Sequence, residues 1–300
     1  MFSLSNVPIL GGSLGCTRLS DTLRQKLLCV TAVMQLVVVL LPSVQIHLLP
    51  DYEALVKASR VFALSPIHLL TNMPFQFSLM LWGAVLGLAL VFACYQWIEP
   101  QCRTHTLHRR VGPWLIWTQA SLSLWTLTTF FLMHYHLFHI PKLICAVFLA
   151  GCLLLSWLAS FIALIITGRW VTDKQQEMSM PETWLLVPYL GIQSGWLSLM
   201  VFVHACAFFR STWQTFWSVP SIFGIGTLLF FFVALVLLLG YVEGFKSLQR
   251  WYAGTLAYGT FALVLTSVAS HMWFPSFTWG LLCLVCTYFA FKPIKLKHAV

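Results

Sequence analysis

The sequence predicts an all-α integral membrane protein with about eight transmembrane helices, and three observations predict it. Of 300 residues, 59% are hydrophobic and only 8% are charged, against about 25% charged in soluble domains. A chain so poor in charge cannot cover a water-facing surface, whereas a chain dissolved in lipid need not. The apolar residues gather in eight runs near the ~20 residues a helix needs to cross a bilayer. The basic residues fall unevenly between those runs. The 14 Trp and 24 Phe suit the same solvent, because the Trp ring is apolar and its N–H is polar, which favours membrane interfaces.

The eight runs lie at roughly 26–48, 75–98, 113–134, 142–167, 184–209, 221–241, 251–271 and 275–291. Pro113, Pro141, Pro220 and Pro275 are expected at or just before helix starts, where a missing N–H costs little. With the N-terminus inside, the inner segments carry Arg18, Arg24, Lys26, Arg103, Arg109, Arg110, Arg169, Lys174, Lys246, Arg250, Lys292, Lys295 and Lys297. The outer segments carry Lys57, Arg60, Lys142 and Arg210, so the 17 basic residues divide 13 to 4. Cytoplasmic loops hold the excess of Lys and Arg. Eight spans with both termini cytoplasmic follow, whereas seven would place the last three lysines outside. Short loops predict antiparallel sequential helices in one bundle. The first 24 residues lack the charged start and cleavage site of a secretory signal, so the first helix is expected to target the protein and remain.

Composition excludes several functions. A net charge of +9 could point to nucleic acid, but the basic residues sit in short loops and form neither a stripe nor a motif. Most of the nine Cys lie in apolar runs, where the thiol acts as a small hydrophobe. The pair Cys283 and Cys286 has redox-like spacing but no partner residues. All eight acidic residues lie in loops or at helix ends, whereas ion-coupled transporters usually keep a carboxylate at membrane depth. No zinc-protease, serine-hydrolase or phosphate-loop motif occurs. The expectation is a non-enzymatic protein.

Other features point to binding. His47, His68, His134, His136, His139, His204 and His271 fall in the outer half on this layout, where imidazoles could ligate a metal or haem iron or simply sit at the interface. The outer loop at 49–74 is long enough to fold over the bundle mouth. Trp82, Trp125, Trp157 and Trp196 lie within helices, where their rings either pack helix against helix or line a pocket for a flat ligand. Gly83 and Gly87, Gly191 and Gly195, and Gly240 and Gly244 have the spacing that lets helices approach closely. They are read as intramolecular packing, with a homodimer face as the alternative. Leu239, Tyr241 and Lys246 fit a loose cholesterol-contact pattern.

Several of these residues carry a resemblance. Phe77, Ser78, Trp82 and Gly83, after a proline-containing loop, are similar to the Phe-Ser-Ile-Trp-Gly opening of helix two in the TspO/MBR family of tryptophan-rich sensory proteins, related to the mitochondrial translocator protein. Trp125 followed by the His134–Phe138 stretch resembles the Trp and the His-Tyr-Glu-Leu end of that family's helix three. Pro188, Tyr189, Gly195, Trp196, Leu197 and Ser198 resemble its helix five. His204 stands where the family has an asparagine eight residues after the tryptophan. The likeness covers about 20–210 and is closest to longer bacterial-type members. It implies a cytoplasmic N-terminal segment (1–24), a five-helix ligand-binding core (25–210) under the first loop, and three further helices with a basic tail (211–300). It implies a bacterial inner-membrane protein that senses, sequesters or transports a tetrapyrrole such as porphyrin or haem, or a sterol-like lipid. Trp82, Trp125, His134, Trp196 and His204 are the ligand-binding candidates, and no metal site is assigned. A facilitated transporter of another substrate and a structural subunit of a membrane complex are the alternatives.

Overall fold

A computed structural model describes residues 21–48, 75–98, 106–134, 142–174, 180–214, 232–269 and 273–292. The described residues are all-helical, with no strand among them. The helices are α1 (Asp21–Leu48), α2 (Phe75–Ile98), α3 (Thr106–His134), α4 (Lys142–Lys174), α5 (Met180–Gln214), α6 (Phe232–Val242), α7 (Lys246–Ala269) and α8 (Trp273–Phe291). Two stretches, Val147–Val171 of α4 and Thr183–Phe202 of α5, are long and apolar enough to cross a membrane. The apolar stretches Gly83–Trp97, Phe232–Val242 and Phe277–Phe291 are shorter.

Several helices extend beyond the apolar runs that announce them. One such extension is at α3, which starts at Thr106, so Pro113 lies inside the helix rather than at its start. The extra turns are held by burial: Leu107, His108 and Val111 point inward while Arg109 and Arg110 are exposed. A proline in a helix interior removes one backbone hydrogen bond. The neighbouring Gly112 leaves room for the Arg24 stem of α1, whose Cδ would lie 2.7 Å from an added Cβ.

Five helices close a ring. α1 packs on α2 and α3, α3 on α4, α4 on α5, and α5 back on α2. Side-chain bonds fix the directions. Arg109 pairs with Asp21 and Thr31 with Gln119, a constant offset that makes α1 and α3 parallel and in register. Gln25 reaches the Gln96 carbonyl and Cys29 the Ala93 carbonyl, a reversed order that makes α1 and α2 antiparallel. Ser160 with Ser194 and Trp157 with Ser198 do the same for α4 and α5.

Helices α7 and α8 pack outside this ring. α7 runs parallel to α5, and glycines set the spacing. A Cβ on Gly191 would meet the Trp251 Cβ at 2.5 Å, and one on Gly195 would meet the Tyr252 carbonyl oxygen at 2.8 Å. Gly259 of α7 returns the contact, seated under Leu199. The 191 and 195 glycines therefore pack within the molecule, as expected. Among the described residues nothing lies within 4 Å of a Cβ built on Gly83, Gly87 or Gly240, so the intramolecular packing expected at those positions has no described partner. α8 returns antiparallel to α7, with Gln249 on the Phe289 carbonyl and Cys283 on the Ala257 carbonyl.

These directions bring the start of α1 and the end of α8 to the same end of the bundle. Asp21, Arg24 and Arg109 meet there, and Lys292 pairs with Glu243 just beyond α6. The hydrogen bond from Lys292 to Glu243 raises the ammonium pKa above the ordinary lysine value. The exterior is apolar on nearly every helix, from Val30 on α1 to Leu284 and Phe291 on α8. The interior is unusually polar, with Gln25, Gln35, Gln96, Gln119, Gln193 and Gln249 all buried.

Candidate ligand site inside the five-helix ring

The ring interior is sealed at one level by a chain of side chains from three helices. The Thr31 hydroxyl of α1 lies 2.6 Å from Gln119 Oε1 of α3 and donates to it, with the Leu27 carbonyl as its alternative acceptor at 2.8 Å. Gln119 Nε2 in turn donates to the Tyr189 hydroxyl of α5 at 3.0 Å. α1 and α5 stand apart in the ring, so this chain crosses its centre. Phe92 of α2 completes the layer, stacked on Tyr189 at 5.9 Å between ring centroids and on His108 at 5.8 Å. His108 is held by the Gln96 amide nitrogen. We call this layer the floor.

The sequence dictates why these groups meet. Thr31, Gln119 and Tyr189 each carry a hydrogen-bonding group at a buried position. An amide or hydroxyl facing hydrocarbon without a partner costs several kcal/mol, on the order of 2–7. The polar faces of α1, α3 and α5 therefore turn towards one another.

One turn further from the charged end lies a second layer of different character. Gln35 follows Thr31 by four residues and Gln193 follows Tyr189 by four, so each shares a helix face with a floor residue, rotated by about 40°. Both are fully buried. Neither amide closes a hydrogen bond through its oxygen or its nitrogen. Gln193 does approach the Tyr189 hydroxyl, as a second and longer polar contact beside that of Gln119. α3 supplies Ser123 and Thr126, whose hydroxyls donate back to the Gln119 and Leu122 carbonyls. α2 supplies the small residue Ala89. A buried amide left unpaired costs about 1–3 kcal/mol, and native proteins usually meet such groups with a protein partner, water or ligand.

The ligand-binding candidates from the sequence divide. Trp196 follows Tyr189 by seven residues, which returns it to within about 20° of the same face, and it is buried. It therefore stands on the interior face of α5 beyond the second layer. Trp125 is also buried, but it lies seven residues after Thr118, whose carbonyl accepts from Ser156 of α4. That places Trp125 on the α3 face that meets α4. Trp82, His134 and His204 belong to α2, α3 and α5, and their side chains lie outside the described residues, as does the loop at 49–74. Trp157 spans the α4–α5 contact, donating from Nε1 to the Ser198 hydroxyl at 2.8 Å, and Ser198 also meets the Tyr252 hydroxyl at 2.9 Å. That bond gives Trp157 a packing role. Among the described residues no group of three or more His, Cys, Asp or Glu could hold a metal.

The glutamines escaped the sequence reading. Their signal was present: Gln35 interrupts an apolar run, Gln119 and Gln193 stand beside Thr118 and Ser194 in mostly apolar helices, and an amide there has to face inward.

Comparison of the chain with protein-family models, with curated proteins and with solved structures finds no match.

Proposed function

We propose that this chain is an eight-span, TspO-like membrane protein that binds a flat, hydrophobic small molecule inside the ring of α1 to α5. The observation that carries the proposal is the layered polar interior of an apolar-surfaced bundle: a hydrogen-bonded floor at Thr31, Gln119 and Tyr189, with unpaired amides and the Trp196 ring beyond it. An apolar exterior over a polar interior is the arrangement lipid favours, since every buried polar group needs an internal partner.

The membrane orientation has its own support. Trp97, Trp184 and Trp251 are exposed near the ends of α2, α5 and α7, all at the charged end of the bundle. Exposed tryptophans beside Lys26, Arg109, Arg110 and Arg250 suit a cytoplasmic headgroup level. On this reading both termini face the cytoplasm, in a bacterial inner membrane. A C-terminal alkaline phosphatase fusion should then be inactive and a C-terminal fluorescent fusion bright. The reverse pair of results contradicts eight spans.

The resemblance at Trp82, Trp125, His134, Trp196 and His204 supports a tetrapyrrole or a sterol-like lipid as the ligand, with binding, sensing or transport as the role and no catalysis. Protoporphyrin added to the purified protein should quench Trp fluorescence, and Trp196→Phe should reduce the quench more than Trp125→Phe, because Trp196 shares the face of Tyr189. A Soret band in the purified protein would identify a co-purifying tetrapyrrole. Equal quenching in wild type and both variants removes the site from the ring.

A further inference from the structure

We infer that the basic end of the α3–α4 seam is a headgroup site for an anionic phospholipid, with Arg110 and Arg169 as its phosphate-binding pair. The inference rests on the reading of α4 as a membrane span and is independent of any ligand in the ring.

Two cations gather beside one ring. The Arg110 guanidinium carbon of α3 lies over the Trp170 ring of α4, 6.0 Å from its centroid. Trp170 is buried in the seam, so it holds that guanidinium at a fixed height. Arg169 is the next residue of α4 and is half-buried. Its Cα lies about 3.8 Å from that of Trp170, which puts both arginines within a side chain's reach of one point. Among the described residues neither meets a carboxylate: Asp21 serves Arg24 and Arg109, and Glu243 serves Lys292. Asp173, one turn past Arg169, has its side chain outside the described residues, and the Lys174 that follows it balances its charge. This corner therefore sets four guanidinium groups, of Arg24, Arg109, Arg110 and Arg169, against one described carboxylate. Like charges this close repel, and an anion between them removes the repulsion.

The surface beside these cations fits a lipid. Val147–Val171 of α4 is long and apolar enough to cross a membrane, and Arg169 and Trp170 stand in its last turn, at headgroup level. On α3, Trp117 and Leu124 follow Arg110 by seven and fourteen residues, which keeps the three within about 40° of one face. All three are exposed. Trp117 stands about 10 Å deeper than Arg110, with Leu124 below it at tail depth. On α4, the exposed Leu158 precedes Arg169 by eleven residues, again within about 20° of its face. Each helix thus presents an arginine at the headgroup and apolar side chains beneath it. A soluble anion would leave those apolar stripes unused. A zwitterionic headgroup brings a cation that the two arginines repel. An anionic phospholipid carries its charge on a phosphate, to which planar guanidinium forks donate paired hydrogen bonds.

The experiment places the full chain in phosphatidylcholine nanodiscs, raises the fraction of phosphatidylglycerol and follows the melting temperature. Wild type should melt higher as that fraction rises, and the gain should saturate. Arg110→Gln and Arg169→Gln should each raise the half-saturating fraction about fivefold, the contribution of one basic residue at a membrane surface. Lys26→Gln on α1 and Arg250→Gln on α7 remove the same charge from other exposed positions at this end and should leave the half-saturating fraction unchanged. Melting in pure phosphatidylcholine reports the fold of every variant. No gain in wild type, an equal change in the Lys26 and Arg250 variants, an effect at only one of Arg110 and Arg169, or the same gain from inorganic phosphate over phosphatidylcholine overturns the inference. A chain that does not enter nanodiscs rejects the membrane reading and the headgroup site with it. A chain that enters them and ignores phosphatidylglycerol overturns the headgroup site alone.

Discussion

The floor and the layer above it use the same residue types one helical turn apart and treat them in opposite ways. At the floor, Gln119 accepts from Thr31 and donates to Tyr189, so its amide is paired at both ends. In the next layer Gln35 and Gln193 are as deeply buried, yet neither closes a hydrogen bond of good geometry, and Gln193 only approaches the Tyr189 hydroxyl. Burial cannot explain the difference, and neither can residue chemistry. What differs is register: α3 places Gln119 between the two floor partners, and one turn on it offers only Ser123, too short to bridge. The lesson is that a polar residue in a helical bundle is structural where a neighbour of the right length faces it, and unbonded where none does.

The largest expected effect comes from breaking the floor. Gln119→Leu removes the bridge and leaves the Tyr189 hydroxyl buried without its partner. A stranded buried hydroxyl costs about 1–3 kcal/mol, whereas interhelical hydrogen bonds in membranes average about 0.6 kcal/mol when measured by cycles. The loss should exceed that average, since the substitution strands a partner: about 1–2 kcal/mol, read as lowered thermal stability in nanodiscs. Tyr189→Phe keeps the stack on Phe92 but strands the buried Gln119 Nε2 donor, so it should cost about as much as Gln119→Leu. A larger loss for Tyr189→Phe would place the floor's strength in the phenol rather than in the bridge.

A smaller effect marks the charged end, where pairing is exposed to solvent. Glu243 raises the Lys292 pKa, and a raised lysine stabilises below its unfolded value and loses that contribution as pH climbs through its folded value. The pair should therefore hold across neutral pH and weaken only above the ordinary lysine range near 10.5. Both groups are more than a third exposed, so Glu243→Gln should shift the melting temperature only slightly at pH 7 and not at all at pH 12. A large shift at neutral pH would make this contact a main support of α6 and α8.

Much of the helical fold was legible in the sequence, and less of the site. The apolar runs located the eight helices among the described residues, of which α4 and α5 carry a stretch long and apolar enough to cross a membrane. The starts of α3 and α7 were missed by several residues, since their first turns are amphipathic: His108 and Leu248 are buried there beside exposed Arg109 and Arg250. Pro113 misled for the same reason. The glycines at 191 and 195 were legible as a packing face, but nothing in their spacing separates them from Gly83 and Gly87, which have no described packing partner. At the site, the tryptophans drew attention by number, yet only register relative to Tyr189 and Thr118 separates Trp196 from Trp125. The pairing of Gln119 and the lack of pairing at Gln35 depend on three helices at once, and no single-helix pattern encodes that.

The most direct test of the two-layer account is the thermal stability, in nanodiscs without added ligand, of the Gln35→Leu, Gln193→Leu double variant beside Gln119→Leu. Leucine has nearly the volume of glutamine and no polar atom to satisfy. If the two second-layer amides add no structural bond of their own, the double variant should be as stable as wild type or more stable, by up to about 1–3 kcal/mol for each unpaired amide removed, while Gln119→Leu melts lower. If the double variant falls as far as Gln119→Leu, the two glutamines are structural groups like the one below them, and the account is wrong.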